Sequence, residues 1–313
     1  MNQRNKPLNI DQIDVPLIPE CSACILNSLQ TLIPLLSDDS DEQYELLSLA
    51  YKKLSEGYAK KKPPAPLSIE LYRDLYTKAG KKDPYRRIKD QSIEAARLAL
   101  PLVMDRIDQY DGYPRLRASL AASIAGNFID FNTAGHRPNL NKLSEVFKDI
   151  LDDGFTIDDS EYLWQSLKSA PGRVSFLADN AGENLFDIPL LRLVKNLGWS
   201  ITYVVKGRAM VNDVTREDVE GTEIEKYAEI IDTGAWAHGV PLKWVSTGFL
   251  EKIRASDLVI SKGQANIETF PEIQREMNVE TYYITRAKCA HISRAIGAKQ
   301  GDNVVLRRPS IPN

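Results

Sequence analysis

A short apolar run, residues 174–178, stops abruptly at Asp179-Asn180 and passes into a helical pattern from Glu183. A strand that ends in oxygen-bearing side chains and turns at once into a helix is the unit from which α/β folds are built. In such folds the ligand crevice lies beyond the carboxyl ends of the strands, where the next helix aims unpaired N–H groups. The rest of the second half repeats this alternation. Strand patterns fall at 200–205, 258–260, 280–285 and 303–307, with helical patterns at 183–197, 248–255 and 287–296 between them. Gly198 and Gly297 stop two of those helices, Thr215-Arg216-Glu217-Asp218 reads as a capping box, Thr247 as an N-cap, and Pro271 suits a first helical turn. Strand and helix in alternation predict a three-layer α/β/α, Rossmann-like domain with a mostly parallel sheet over residues 171–313.

The first half, residues 1–170, reads as a mainly helical subdomain whose later part packs on the α/β domain. Apolar residues recur at helical spacing over 24–36, 41–56, 92–109 and 116–131. The stretch 60–66, with three lysines and three prolines, reads as an exposed loop, and Ser68 as the N-cap of a helix over 69–79. No strand is expected before about residue 173.

The chain has 313 residues, 43% of them hydrophobic, and a formal net charge of -3. That composition supports real cores but no basic face for nucleic acid. Residues 1–18 lack the apolar core of a signal peptide, and no run approaches the ~18 apolar residues of a membrane span. A soluble cytoplasmic protein with no membrane partner is expected; the oligomeric state is not legible.

Two further segments offer the same class of chemistry as Asp179-Asn180. Asp213, in Val211-Asn212-Asp213-Val214-Thr215, lies 34 residues after Asp179, about one βα unit on. Lys262 and Gly263 follow the strand pattern at 258–260, with Asn266 just beyond. Carboxylate and amide oxygens suit a hard divalent cation, and a lysine beside a glycine suits an oxyanion. Read singly, Asp179 or Asn180 is also an ordinary helix N-cap, and Lys262 an ordinary surface turn. The residue two after Asp179 is Ala181, which excludes the Asp-x-Asp of aspartyl-nucleophile phosphatases. Neither a dinucleotide-binding glycine turn nor a P-loop is present.

Taken together, Asp179-Asn180-Ala181-Gly182-Glu183, Asn212-Asp213-Val214-Thr215 and Lys262-Gly263-Gln264-Ala265-Asn266 resemble the metal-dependent damage-control phosphatases. The resemblance continues in Asp83-Pro84-Tyr85 with Lys89, Ala125-Gly126-Asn127 with Asp130, and Ala287-Lys288-Cys289, and is closest to a subgroup with an N-terminal CxxC. It implies a phosphomonoesterase for small phosphorylated metabolites, using Mn²⁺, Ni²⁺, Co²⁺ or Mg²⁺. It implies Asp179, Asn180 and Asp213 as metal ligands, with Asp179, Asp213 and Lys262 in catalysis. Lys262, Asn266, Asn127 and Asp130 would face the substrate. A carboxyl methyltransferase on the same fold is one alternative, but the adenosyl-binding glycine turn it needs is not found; a non-catalytic redox or metal module using the CxxC and Cys289 is another. Cys21, Cys24 and Cys289 form a possible second metal or redox site, with three buried thiols as the plain alternative. The chain is expected to bring Cys289 close to Cys21 and Cys24. His136 and His238 have no partner pattern.

Overall fold

The structure, a computed structural model, describes residues 13–126 and 140–311, with side chains from residue 145 onward in the second stretch. Asn127, Asp130 and His136 lie outside the described residues. Seven strands form one sheet: β1 Ile157–Asp158, β2 Arg173–Leu177, β3 Ser200–Val205, β4 Glu229–Asp232, β5 Leu258–Lys262, β6 Thr281–Arg286 and β7 Asn303–Arg308. Their order is β1-β7-β6-β5-β2-β3-β4. Every pair is parallel except β6 with β7. From β2 the chain builds outward through β3 to β4, then returns to place β5 on the other side of β2. The strand order therefore reverses between β2 and β5, and the crevice of an open α/β sheet opens at that reversal.

Alternate residues of the central strands face two different cores, as a strand's period of two requires. Val174, Phe176, Ile201, Tyr203, Leu258 and Ile260 share a core with α4 (Arg86–Ile107), α5 (Gly112–Ala125), α6 (Leu140–Asp153), α7 (Ser160–Ser169) and α8 (Ile188–Asn196). Leu177, Val204, Val259 and Tyr283 face α11 (Thr247–Arg254), α12 (Gln264–Met277) and α13 (Ala290–Ile296). The result is the three-layer α/β/α sandwich expected. A third core joins α1 (Cys21–Leu36), α2 (Ser40–Ala59) and α3 (Pro64–Ala79) to Met210, Ala235 and Ala237 of the loops after β3 and β4. No helix among the described residues is long and apolar enough to cross a membrane.

Several local expectations are corrected. Helix α3 starts at Pro64, not after Ser68. Proline lacks an N–H and has its φ preset, so the first turn accommodates it. Ser68 instead sits inside α3, where its hydroxyl bonds back to the Pro64 and Ala65 carbonyls at 3.0 Å. The cap of α11 is Ser246, one residue before Thr247, and its Oγ accepts the Phe249 N–H at 3.2 Å. Pro271 lies inside α12, whose start is set by Gly263. The pattern at 183–197 divides into a 3₁₀ turn, Glu183–Asp187, and α8. Pro189 cannot donate to the preceding turn, so the two segments do not merge. Strand β1 precedes residue 173, and both β1 and β4 were invisible in the pattern: they are edge strands of 2 and 4 residues with little apolar content. The capping box at Thr215 and Asp218 is present and opens the short helix α9 (Arg216–Val219).

His238, from the loop after β4, is tied to this frame. Its Nε2 lies 2.7 Å from the Ser68 hydroxyl. Burial pushes its pKa down to about 4, and Lys206 and Arg73 push the same way. The unfolded chain takes up this proton near pH 6.5 and the folded chain only near pH 4. Stability therefore falls as the pH drops through that window, by up to about 1.4 kcal/mol per pH unit. Denaturant melts at stepped pH should show a shallower acid decline for His238→Gln; an identical slope would dismiss His238 as its source.

Candidate metal and phosphate site

The crevice at the strand-order reversal is assembled by backbone hydrogen bonds. After β3 the chain loops out and folds back onto the end of β2. The Val214 N–H donates to the Asp179 carbonyl at 2.9 Å, and the Ala181 N–H to the Asn212 carbonyl at 2.9 Å. Asn180 and Asp213 pair as an isolated antiparallel bridge. Lys206 N–H closes the base of the loop on the Val214 carbonyl at 2.9 Å. Asp179, Asn180 and Asp213 are thereby brought side by side although two follow β2 and one lies in the loop after β3.

From the other side of the reversal, β5 delivers Lys262 and Gly263. Gly263 has φ +87°, and a Cβ on it would overlap the Asp179 carboxylate. Only glycine both adopts that conformation readily and leaves room for the carboxylate. On the flank toward α4, Gly182 has φ +89° and packs against Ser92, where an added Cβ would meet backbone at 2.8 Å.

Polar atoms here are buried and only partly neutralised. Asp179, Asp213 and Glu183 are 7%, 5% and 2% exposed. Burial pushes the Asp179 carboxyl well above the usual range, and the charges of Glu183 and Asp213 add to this against Lys206 and Lys262. Asp213 is pushed up to about 6, first by burial, with Lys206 and Lys89 opposing. Its Oδ2 is buried with no hydrogen-bond partner among the described residues. The Asn180 amide nitrogen donates to Asp179 Oδ2 at 3.2 Å and to Glu183 Oε1 at 2.8 Å, which commits its nitrogen, so that only its oxygen could ligate a cation.

Such a cluster fits a hard divalent cation: two carboxylates under electrostatic pressure, one orphaned oxygen, and an amide oxygen. Among the described residues no three His, Cys, Asp or Glu side chains are spaced as a metal cage. The donor set here is two acids and an amide, which leaves coordination positions for water or a phosphate oxygen.

Lys262 is 1% exposed and deeply engaged. Its Nζ donates to Asp187 Oδ1 at 2.9 Å and to the Glu183 carbonyl at 3.2 Å. Burial opposes its charge, but Asp187 and Glu183 outweigh that and raise its pKa. Asp187 also accepts from Ser123 Oγ at 2.5 Å and from the Tyr203 hydroxyl at 2.7 Å. Asn266 works on the scaffold: its Nδ2 donates to the Lys262 carbonyl at 2.7 Å and the Ala178 carbonyl at 3.1 Å. Its Oδ1 accepts from Lys206 Nζ at 3.0 Å.

Two residues here escaped the sequence reading. Lys206 is 1% exposed, and its Nζ also reaches the Ala178 carbonyl at 3.0 Å. Burial lowers its pKa, with Asp213 and Asp179 pulling it back up. It follows β3 directly, as Lys262 closes β5, and that shared position was the available signal. Glu183, four residues after Asp179, stood in the motif that carries the resemblance but was given no role.

Cys21 and Cys24 lie in the first turn of α1 and Cys289 caps α13; all three thiols are free. Partial burial raises the pKa of Cys21 and Cys24, and the charges of Cys289 and Glu268 raise both further. Cys289 is therefore within electrostatic reach of the CxxC. The Cys289 N–H donates to Gln264 Oε1 at 3.1 Å, one residue from Gly263.

Gly263→Ala should cost about 1–3 kcal/mol through its left-handed backbone alone. It should also weaken Mn²⁺ binding by displacing Asp179. Calorimetric titration of the folded variant checks this; wild-type affinity would mean that Asp179 tolerates being moved.

The chain is similar over most of its length to known proteins. The model of the damage-control phosphatase ARMT1-like domain matches residues 17–304. A damage-control phosphatase, PH1575, of Pyrococcus horikoshii is 31% identical over 291 residues, covering 92% of this chain and 96% of that protein. A damage-control phosphatase of Archaeoglobus fulgidus is 30% identical over 287 residues, covering 91% and 97%. The crystal structure of the Pyrococcus horikoshii protein, described as a DUF89 family protein, superimposes with a TM-score of 0.83 at 29% identity, covering 94% of this chain and 99% of that one. A sheet that reverses its strand order at Asp179 and Lys262, carrying the acidic cluster found there, thus belongs to a chain of the ARMT1-like damage-control phosphatase family.

Proposed function

We propose that the chain is a divalent-metal-dependent phosphomonoesterase acting on small phosphorylated metabolites, sugar phosphates or damaged phospho-metabolites. Family membership supports the reaction class. The observation that carries the metal dependence is the buried Asp179–Asp213 pair with its orphaned Asp213 oxygen at the strand-order reversal. Asp179, Asn180 and Asp213 would hold the ion, with Mn²⁺, Co²⁺, Ni²⁺ and Mg²⁺ as candidates. A bound divalent cation supplies a Lewis acid for the phosphoryl oxygens.

The chain's own residues do the rest. Glu183 orients the Asn180 amide through its Oε1. Lys262 Nζ is bonded to Asp187 and the Glu183 carbonyl and lies 3.8 Å from Glu183 Oε2, so its contribution to a phosphoryl group would be its fixed positive charge. Lys206, on the opposite side of Asp179, adds a second buried cation. Preset charges in a water-poor crevice stabilise developing negative charge without having to reorganise.

The cysteines carry a smaller second reading. No three His, Cys, Asp or Glu side chains among the described residues could hold a metal, so Cys289 within electrostatic reach of Cys21 and Cys24 supports a redox rather than a soft-metal site, which native mass spectrometry of the full chain would reveal as lost hydrogens. An unmodified reduced mass would leave three ordinary thiols.

The test of the main reading is phosphate release from an aryl phosphate by chelator-stripped protein, with and without each metal. Activity should return only with metal; full activity in chelator would refute it. Lys262→Met should lower turnover about 100-fold with metal affinity nearly kept. Turnover close to wild type would make Lys262 a purely structural cation. Asp213→Asn should abolish metal binding and yet raise the metal-free melting midpoint, because it removes a buried charge that the fold only partly neutralises. A lower midpoint would show that Asp213 stabilises the fold on its own.

A further inference from the structure

Lys89, on α4, is fully buried, and its charge serves no surface. Its Nζ lies 2.6 Å from Asp218 Oδ2 and 3.3 Å from Asp83 Oδ2. Taking an ammonium out of water costs several kcal/mol before its partners offset it, so a lysine held this way needs a specific account. Asp218 points to one. Its Oδ2 also accepts from the Thr215 N–H and the Thr215 hydroxyl, each at 2.7 Å, and its Oδ1 accepts from Arg86 Nη1 at 2.6 Å. One buried carboxylate therefore gathers two cations from the helical half of the chain and both donors of Thr215.

Thr215 is two residues from Asp213 and ends the loop that carries it. It bridges to Lys206, while Val214 between them is bonded to Asp179 and to Lys206. The chain of contacts runs from Lys89 to Asp218, to Thr215, and along a bonded backbone to Asp213. Lys89 touches neither Asp179 nor Asp213, although its charge reaches Asp213 through the interior.

We propose that Lys89 is a positioning residue for Asp213. It anchors the loop through Asp218 and Thr215, so that the helical half of the chain sets the placement of a ligand contributed by the sheet. This rests on reading Asp179, Asn180 and Asp213 as the metal site. Residues outside the coordination shell that orient a ligand change metal affinity more than they change the reacting atoms.

The experiment uses the full chain and Mn²⁺ itself, with free Mn²⁺ measured by electron paramagnetic resonance. Lys89→Met should weaken Mn²⁺ affinity about tenfold while circular dichroism and cooperative unfolding are retained. At saturating Mn²⁺, kcat should return close to wild type. Asp218→Asn, nearly isosteric, should show the same pattern and decides the matter if Lys89→Met does not fold. A folded variant that loses less than about threefold in affinity, or one whose kcat stays low at saturating metal, overturns the assignment. Asp179→Asn and Asp213→Asn run alongside. If both keep wild-type Mn²⁺ affinity, the metal-site reading fails, and that outcome is separate from a failure at Lys89.

Discussion

The backbone pairing of residues 206–215 with the end of β2 is the contact on which the rest of the site depends. Without it, Asp179 and Asp213 would sit on separate loops, each solvated and each ordinary. Bonds at 2.9 Å from Val214 to Asp179 and from Ala181 to Asn212 fix the two segments in register. The side chains of Asn180 and Asp213 then have little freedom to avoid each other. Gly263 closes the third side, because its missing Cβ is the space the Asp179 carboxylate occupies.

That geometry has an electrostatic consequence. Burial raises both aspartates, and Glu183 raises them further, while Lys206 offsets part of this at both, with Lys262 at Asp179 and Lys89 at Asp213. Lys206 and Lys262 are themselves held by Asn266 and Asp187, so they cannot swing in to neutralise more. The fold thus disfavours the ionised form of both carboxyls, and a cation placed between them would favour it. Stability given up at one place for chemistry at that place is a recurring bargain in enzymes. Here the bargain is confined to a few residues, since the three surrounding cores are apolar and continuous.

The parts of the chain legible beforehand were those with strong local signals. The strand at 200–205 matched residue for residue, since a run rich in β-branched and aromatic residues between Gly198 and Gly207 has little alternative. The capping box at Thr215 was legible for the same reason: both partners lie within one turn. Strands β1 and β4 were not, because edge strands are held by pairing with a neighbour and need no apolar pattern of their own. Ser68 was misplaced as a cap because a hydroxyl can serve a helix start or bond back inside one. Lys206 went unnoticed, and Glu183 was given no role, because a charged residue in a turn or at a strand end reads as solvent-exposed until its burial is known.

By itself, the sequence determined the α/β class, the helical first half, the family, and the acidic and basic residues that recur in motif order. The class and the helices rest on periodicity and spacing, and the family and its site residues on the resemblance of short motifs, all of them properties of neighbours along the chain. Only the tertiary structure decided that Lys262 and Lys206 are buried and committed, that Asn266 braces the strand ends, and that Lys89 reaches Asp218 across more than a third of the chain. Each of those facts depends on which strand lies beside which, and hydrogen bonds between residues far apart in sequence leave no periodic trace in it.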